Sequence, residues 1–135
     1  MLLTPSTITF LLNAESKALA TLSAEGMVNV VPVSSIRVEE DAVILVNYFM
    51  DKTLANILAT GHVALVAWSK GIGYQIKGTV RYEASGAVFD RTVAWVATIF
   101  PDRTVKGVLI ITPTELYDVA PVKNTAEVLE KVEKN

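Results

Sequence analysis

A lysine and a threonine, Lys52 and Thr53, stand where a predicted strand passes into a predicted helix. Residues 42–46 are an almost continuous apolar run, which is typical of a buried strand. Residues 51–61 carry apolar side chains at helical spacing. Free backbone N–H groups and the positive end of the helix dipole meet the lysine cation and the threonine hydroxyl at this point. The combination favours the binding of a phosphate monoester.

The same helix start also has a purely structural interpretation. Asp51 is the expected N-cap, and its carboxylate could satisfy the first amides of the helix itself while it repels an anion. Gly61 is the expected end of the helix. The residues of this stretch leave both interpretations open, and the neighbouring segments have to decide between them.

Length and composition predict a single domain of 135 residues with a substantial core. The hydrophobic fraction is 51% and the charged fraction is 19%, yet no apolar run approaches the ~18 residues that a membrane span requires. A chain this apolar has more hydrophobic surface than one core can bury, which favours a homo-oligomer.

Charge and residue usage argue against several classes of function. The net charge of −2 and the pI of about 5.4 argue against a surface that follows nucleic acid phosphates. The absence of cysteine excludes disulfides, thiolate zinc sites and thiol catalysis. A single histidine, His62, and no serine in an elbow motif give little support for a hydrolase triad. The first residues lack the features of a signal peptide, so a cytoplasmic location is expected.

Turn residues and hydrophobic periodicity divide the chain into about six strands and three or four helices. The predicted strands are residues 17–23, 27–38, 42–46, 62–68, 74–83 and 108–119. The predicted helices are residues 51–61, 85–100 and 124–134, with a further short one entered at Pro5. Neighbouring strands are joined mostly by links of hairpin length, which predicts an antiparallel sheet or barrel with helices at its ends.

Several of these elements carry further information. Residues 27–38 contain Pro32, which cannot donate to a strand ladder, so this strand is expected to be irregular there. Residues 69–73 are predicted as a loop, and residues 74–83 then alternate between an apolar and a polar face. The helix at residues 85–100 has two apolar stripes, which favours an interface or deep burial.

The order of these elements resembles the FMN-binding split β-barrel of the pyridoxamine 5′-phosphate oxidase-like superfamily. It is most similar to the small FMN-binding proteins and flavin-reductase-like members of that superfamily. The likeness covers residues 7–117. It is carried by the strand with Pro32, the K-T helix start, and the motifs N-I-L, V-A-L-V and G-Y-Q-I-K-G-T-V at residues 56–58, 63–66 and 73–80.

The resemblance implies a mainly β, α+β fold, a six-stranded antiparallel split β-barrel with short flanking helices. It also implies a homodimer with two FMN sites along the subunit interface. Residues 1–135 would form one FMN-binding domain, in which residues 121–135 are a weakly held helical tail.

The resemblance further implies the residues that would bind the cofactor. The strand segment with Pro32 would lie against the isoalloxazine, the turn after residue 46 would line the ribityl chain, and the helix start would hold the phosphate. The polar face of residues 74–83 would contact the flavin or its phosphate. The residues concerned are Val31, Pro32, Val33, Ser34, Asn47, Tyr48, Phe49, Lys52, Thr53, Gln75 and Lys77. No metal site and no catalytic residue are predicted.

The expected function is that of an FMN-dependent oxidoreductase or electron-transfer protein, with NAD(P)H or a redox protein as partner. Three alternatives are a flavin store or sensor without turnover, a deazaflavin-dependent reductase, and an interaction protein without cofactor. The chain ends in V-L-E-K-V-E-K-N and lacks the basic C-terminal motif of the true pyridoxamine phosphate oxidases, so vitamin B6 chemistry is not expected. A single histidine at a predicted helix-to-strand corner argues against haem.

Overall fold

The computed structural model describes residues 2–120 and the short strand Glu133–Lys134. The described helices are α1 (Pro5–Asn13), α2 (Lys52–Thr60) and α3 (Ala87–Ile99). The described strands are β1 (Ser16–Leu22), β2 (Val28–Pro32), β3 (Ile36–Glu39), β4 (Ala42–Asn47), β5 (His62–Ser69), β6 (Ile72–Glu83), β7 (Gly107–Asp118) and β8 (Glu133–Lys134). The protein is therefore mainly β with helices added, as predicted.

All strands join one sheet in the order β2-β1-β5-β6-β7-β4-β3, and β8 pairs with β7. Every pairing among the first seven strands is antiparallel, whereas β8 runs parallel to β7. Within the described residues, no hydrogen-bonded ladder joins the two edge strands β2 and β3. The predicted six-stranded barrel is thus wrong in two respects, because the antiparallel strands number seven and the sheet is not closed.

The additional strand arises from the segment predicted as one long strand, residues 27–38. The structure divides it into β2 and β3, which lie at opposite edges of the sheet. β2 ends at Pro32, where the missing N–H interrupts the ladder, and only the N–H of Val33 still donates, to the carbonyl of Lys17 at 3.1 Å. The chain then crosses through Ser34 and Ser35 to the other edge.

The core lies on one face of the sheet, and the strand registers define it. The central row of this inner face is Val31, Leu19, Leu65, Ile76 and Leu116, each directly opposite the next across β2, β1, β5, β6 and β7. Four of these side chains belong to the main hydrophobic cluster, and the partly buried Val31 packs against it. Direct cross-strand neighbours point to the same face, so residues one position along the strands point outward.

Local turn chemistry fixes several element ends. The predicted loop at residues 69–73 is instead a tight hairpin, because Lys70 and Gly71 both take positive φ angles, 41° and 82°, and the strands extend to either side. Gly61 ends α2 in the left-handed conformation, with φ 69°, as predicted. The predicted alternation of residues 74–83 is also confirmed, since buried and more exposed positions alternate from Tyr74 to Thr79.

α3 is held to the β3–β4 hairpin by a network of charged and polar groups. Arg37 donates to the hydroxyl of Thr92 at 2.8 Å and pairs with Glu39 at 2.7 Å. Arg91 also pairs with Glu39 at 2.7 Å. Val93, on the outer surface of α3, remains exposed, so the helix is not deeply buried within one chain.

This network makes stability depend on pH. The hydrogen bond from Arg91 holds the pKa of Glu39 below its usual value; burial opposes this effect, and the hydrogen bond from Arg37 reinforces it. Because the folded pKa is lowered, the stabilisation is present above the unfolded pKa and is lost as the pH falls through the folded pKa. We expect Glu39→Gln to unfold at lower urea than the parent at about pH 7 and to match it at about pH 2. Glu25→Gln, in the β1–β2 turn, is the control, and a difference that does not change with pH would contradict the role of charge.

The predicted helix at residues 124–134 falls mostly outside the described residues. Within it, Glu133–Lys134 is a strand beside Tyr117 and Asp118, so the helix prediction is wrong for these two residues. Of the helices in residues 2–120, none combines the length and the hydropathy of a membrane span.

Candidate functional site

We call the open gap between the two edge strands β2 and β3 the seam. A cleft of about 410 Å³ lies there, where the chain leaves β2 and where β4 turns into α2. Its volume is within the range of about 300–1,000 Å³ that is usual for small-molecule sites. Eight of the eleven residues predicted to bind cofactor line it: Val31, Pro32, Val33, Ser34, Tyr48, Phe49, Lys52 and Thr53. Asn29, Val46, Met50 and Asp51 complete the lining.

The start of α2 forms one end of the cleft. Asp51 occupies the N-cap position, but its side chain makes no capping hydrogen bond, so the predicted cap is wrong in this detail. The carboxylate therefore leaves the first amides of the helix to other acceptors. Lys52 is exposed and pairs with no carboxylate among the described residues. The interpretation in which the Asp51 carboxylate itself caps the first amides of α2 is therefore wrong.

Thr53 has a role in packing as well as in the cleft. Its side chain is buried, and its hydroxyl accepts a hydrogen bond of 3.2 Å from the amide of Asn29 on β2. This bond fixes the start of α2 against the edge strand. The sequence prediction missed Asn29, since nothing in its surroundings in the chain indicates that β2 and α2 meet.

Asn47 builds the turn that follows β4. It is only 2% exposed and does not line the cleft. Its side-chain oxygen accepts from the N–H of Met50 at 2.7 Å, and its side-chain nitrogen donates to the hydroxyl of Tyr82 at 2.9 Å. Asn47 thus shapes residues 47–50 and presents the next two side chains, Tyr48 and Phe49, to the cleft.

These two aromatic residues differ in their surroundings. The hydroxyl of Tyr48 shares a hydrogen bond of 2.7 Å with that of Ser35, which ties the turn to the segment that crosses the seam. Phe49 is 87% exposed, an unusual position for a large apolar ring. A flat apolar ligand in the cleft would have an aromatic side chain available on this wall.

The loop between α3 and β7 adds two cations that the sequence prediction missed. The guanidinium of Arg103 lies 5.0 Å from the ring centroid of Tyr48 and donates to the hydroxyl of Ser34 at 3.1 Å. The ammonium of Lys106 lies 5.2 Å from the ring centroid of Phe49. Both cations stand beside residues that line the cleft, although they are more than 50 residues away in the chain.

The other two predicted residues, Gln75 and Lys77, lie outside the cleft of their own chain. Gln75 belongs to the outward row Pro32, Ala18, Val66, Gln75 and Tyr117, and three strand spacings separate it from Pro32. At about 4.8 Å per spacing this is roughly 14 Å. The ammonium of Lys77 lies 5.1 Å from the ring centroid of Tyr117.

The outward surface of β2, β1 and β5 is apolar, and we name it the outer face. Its members are Val28, Val30, Ala18, Ala20, Ala64, Val66 and Trp68, which are neighbours through the strand registers. Val28 and Val30 are 73% and 63% exposed. Gln75 and Lys77 stand at its border on β6, directly opposite Val66 and Ala64. A continuous apolar surface with a polar border is typical of an interaction surface.

Comparison with known proteins identifies the family. The model of the pyridoxamine 5′-phosphate oxidase family matches residues 3–120, and the chain belongs to this family. The resemblance inferred from the sequence is thereby confirmed. An uncharacterized protein of Methanocaldococcus jannaschii is 34% identical over 119 residues, which cover 85% of this chain and 80% of that protein.

Solved structures show the same fold. HupZ of Group A Streptococcus superposes with a TM-score of 0.80 at 22% identity, over 92% of this chain and 99% of that one. An FMN-binding protein of Syntrophomonas wolfei gives 0.74 at 19% identity, over 86% and 88%. HutZ, a heme storage protein of Vibrio cholerae, gives 0.69 at 14% identity, over 87% and 95%.

The role assigned to Asn47 predicts a large loss of stability on its removal. We expect Asn47→Ala to lower the free energy of unfolding by about 3 kcal/mol, because the partly buried N–H of Met50 and hydroxyl of Tyr82 lose their buried partner. Asn13→Ala, at the exposed end of α1, is the matched control and should cost less than about 1 kcal/mol. Urea denaturation measures both, and equal losses would contradict the role of Asn47 in the turn.

Proposed function

We propose that this protein is a homodimeric FMN-binding flavoprotein that acts as an oxidoreductase or electron carrier. The observation that carries the proposal is the assembly of three predicted parts in one cleft: the helix start with Lys52, the turn with Tyr48 and Phe49, and residues 31–34. Residues 31–34 are distant in the chain from the turn and the helix start, and they meet them only in the fold. The FMN-binding protein of Syntrophomonas wolfei, which has the same fold, supports the choice of ligand.

Residues of this chain match the parts of FMN from one end of the cleft to the other. The uncapped amides of α2 and the ammonium of Lys52 suit the phosphate. Tyr48 and Phe49 suit the ribityl chain. At the other end, Pro32 has no N–H and the N–H of Val33 already donates to the carbonyl of Lys17, which leaves the N–H of Ser34 as the backbone donor for the ring. Bound FMN would supply the redox chemistry, and the protein would orient it and limit the access of water.

Haem fits the described cleft less well than FMN. A haem iron is usually held by an axial side chain, most often histidine. The single histidine of the chain, His62, begins β5 and lies among residues of the outer face, outside the cleft lining. The heme storage protein HutZ shares the fold, but the residues of this cleft favour a phosphate-bearing flavin.

We further propose that the outer face forms the dimer interface. Its exposed valines on the edge strand would be buried against the same face of a second copy, which is the geometry of a two-fold interface. Gln75 and Lys77 stand at the border of this face, and in a dimer they would be available to the cleft of the partner. This arrangement accounts for their separation from the cleft of their own chain.

Removal of the proposed phosphate partner tests the cofactor assignment. We expect Lys52→Ala to weaken FMN binding by about 1–3 kcal/mol and to leave riboflavin binding nearly unchanged, because only FMN has the phosphate. Flavin fluorescence titration measures both affinities. Lys70→Ala, which removes an exposed lysine at the β5–β6 hairpin, is the control. An equal loss for both flavins would show that Lys52 does not contact the phosphate.

A charge on the outer face tests the dimer. We expect Val30→Asp to convert the dimer into a monomer and to release FMN, because a carboxylate would be desolvated in the interface. Val93→Asp, on the exposed side of α3, is the control with the same substitution. Sedimentation velocity at the flavin absorption band reports both mass and cofactor, and a Val30→Asp monomer that keeps its FMN would refute an interface site.

A further inference from the structure

The loop between α3 and β7 places two cations at the rim of the cleft and fixes them with aromatic rings. The guanidinium of Arg103 lies 3.7 Å from the ring centroid of Phe100 and also contacts Tyr48 and Ser34. The position of Lys106 is fixed by its backbone, since its N–H donates to the carbonyl of Asn47 at 2.9 Å. The rings orient both charges without neutralising them.

Neither cation pairs with a carboxylate among the residues that the structure describes. The three ion pairs there involve Arg37, Arg81 and Arg91, all away from the cleft. Asp102, which precedes Arg103 in the chain, and Asp51, which lines the cleft, are both exposed and outside these pairs. Arg103 donates one hydrogen bond, to the hydroxyl of Ser34, out of the five that a guanidinium can donate.

We infer that Arg103 and Lys106 receive an anionic group, a carboxylate or a phosphate, of the small molecule that exchanges electrons with the bound flavin. The inference rests on the proposed function and adds the class of the substrate. Two oriented cations at the mouth of a cleft raise the local concentration of an anion and its rate of association. Lys52 lies at the α2 end of the cleft, so the rim cations are available to a second ligand while the flavin phosphate occupies that end.

A simpler interpretation is that Arg103 only attaches its loop to the segment that crosses the seam. Its contacts with Ser34 and Tyr48 would serve that purpose. In that case the charge itself would not matter once the loop is in place. The two interpretations therefore differ in how the rate of electron transfer depends on the charge of the partner.

The test follows reoxidation of the reduced FMN-loaded protein by stopped flow at low ionic strength. Each reduced flavin gives two electrons, which reduce two ferricyanide ions to ferrocyanide or one neutral benzoquinone to hydroquinone. For the double variant Arg103→Gln, Lys106→Gln we expect the rate with ferricyanide to fall about tenfold and the rate with benzoquinone to stay within about twofold. Added salt should lower the ferricyanide rate of the parent and have little effect on the variant.

Controls separate charge from structure. Arg103→Lys keeps the charge and should keep most of the ferricyanide rate, whereas Lys70→Gln removes a remote charge and should change neither rate. Lys106→Gln alone, with an exposed side chain, is the variant to use if the double variant unfolds. Equal changes with ferricyanide and benzoquinone would overturn the inference. A loss of affinity for FMN but not for riboflavin would also overturn it, since the rim would then hold the flavin phosphate.

Two further measurements identify the type of anion and test the inference separately from the proposed function. Inhibition of the ferricyanide reaction by citrate or by pyrophosphate, at equal ionic strength, distinguishes a carboxylate from a phosphate. If the parent takes up no FMN, the proposed function fails, and the rim is tested on the flavin-free protein by titration with pyrophosphate. Saturable shifts of the Ser34 and Lys106 amide signals, lost in the double variant, would support the anion site, and their absence would overturn it.

Discussion

The buried side chain of Asn47 is the interaction on which the site depends. Asn47 ends β4, and its backbone carbonyl accepts from the N–H of Lys106, immediately before β7. Its side-chain amide donates to Tyr82 on β6 and accepts from the N–H of Met50 in the turn. One residue thus connects three strands to the turn that leads into α2. Gly107 permits this arrangement, because a Cβ there would overlap the ring of Tyr82. The position of Lys106 beside Phe49 follows from the same contacts.

One face of the sheet covers the core and the other is outward, and the strand registers determine which residues lie on each face. Val31, Leu19, Leu65 and their partners fill the core, while Pro32, Ala18, Val66 and their partners form the outward surface. A shift of one residue in any strand would exchange the two sets. The side chains on this surface are mostly alanine and valine, which suits the proposed packing against a second copy of the sheet. The apolar residues of the sequence therefore lie in two places, the core and an exposed surface.

Features that depend on neighbours in the chain could be predicted from the sequence, whereas contacts between residues distant in the chain could not. The K-T helix start, the end of α2 at Gly61 and the alternation after Tyr74 depend on neighbours in the chain. The division of residues 27–38 could be predicted only as an irregularity at Pro32, because the sequence does not show which edge each half joins. Arg103 was missed because its approach to the cleft depends on the pairing of β4 with β7. Two basic residues shortly after a helix end were the available signal.

The location of the cleft follows from the same feature that prevents closure of the sheet. β2 and β3 are consecutive in the chain but occupy opposite edges, so residues 33–35 must cross the open seam between them. A segment outside the ladder leaves backbone groups without strand partners, and a buried group of this kind needs another partner. Tyr48 and Arg103 satisfy the side chains of Ser35 and Ser34 from the far side of the seam. In the proposed function, a ligand at the seam would occupy the place that a paired strand has in a closed barrel, beside the polar backbone, the aromatic turn and the helix start.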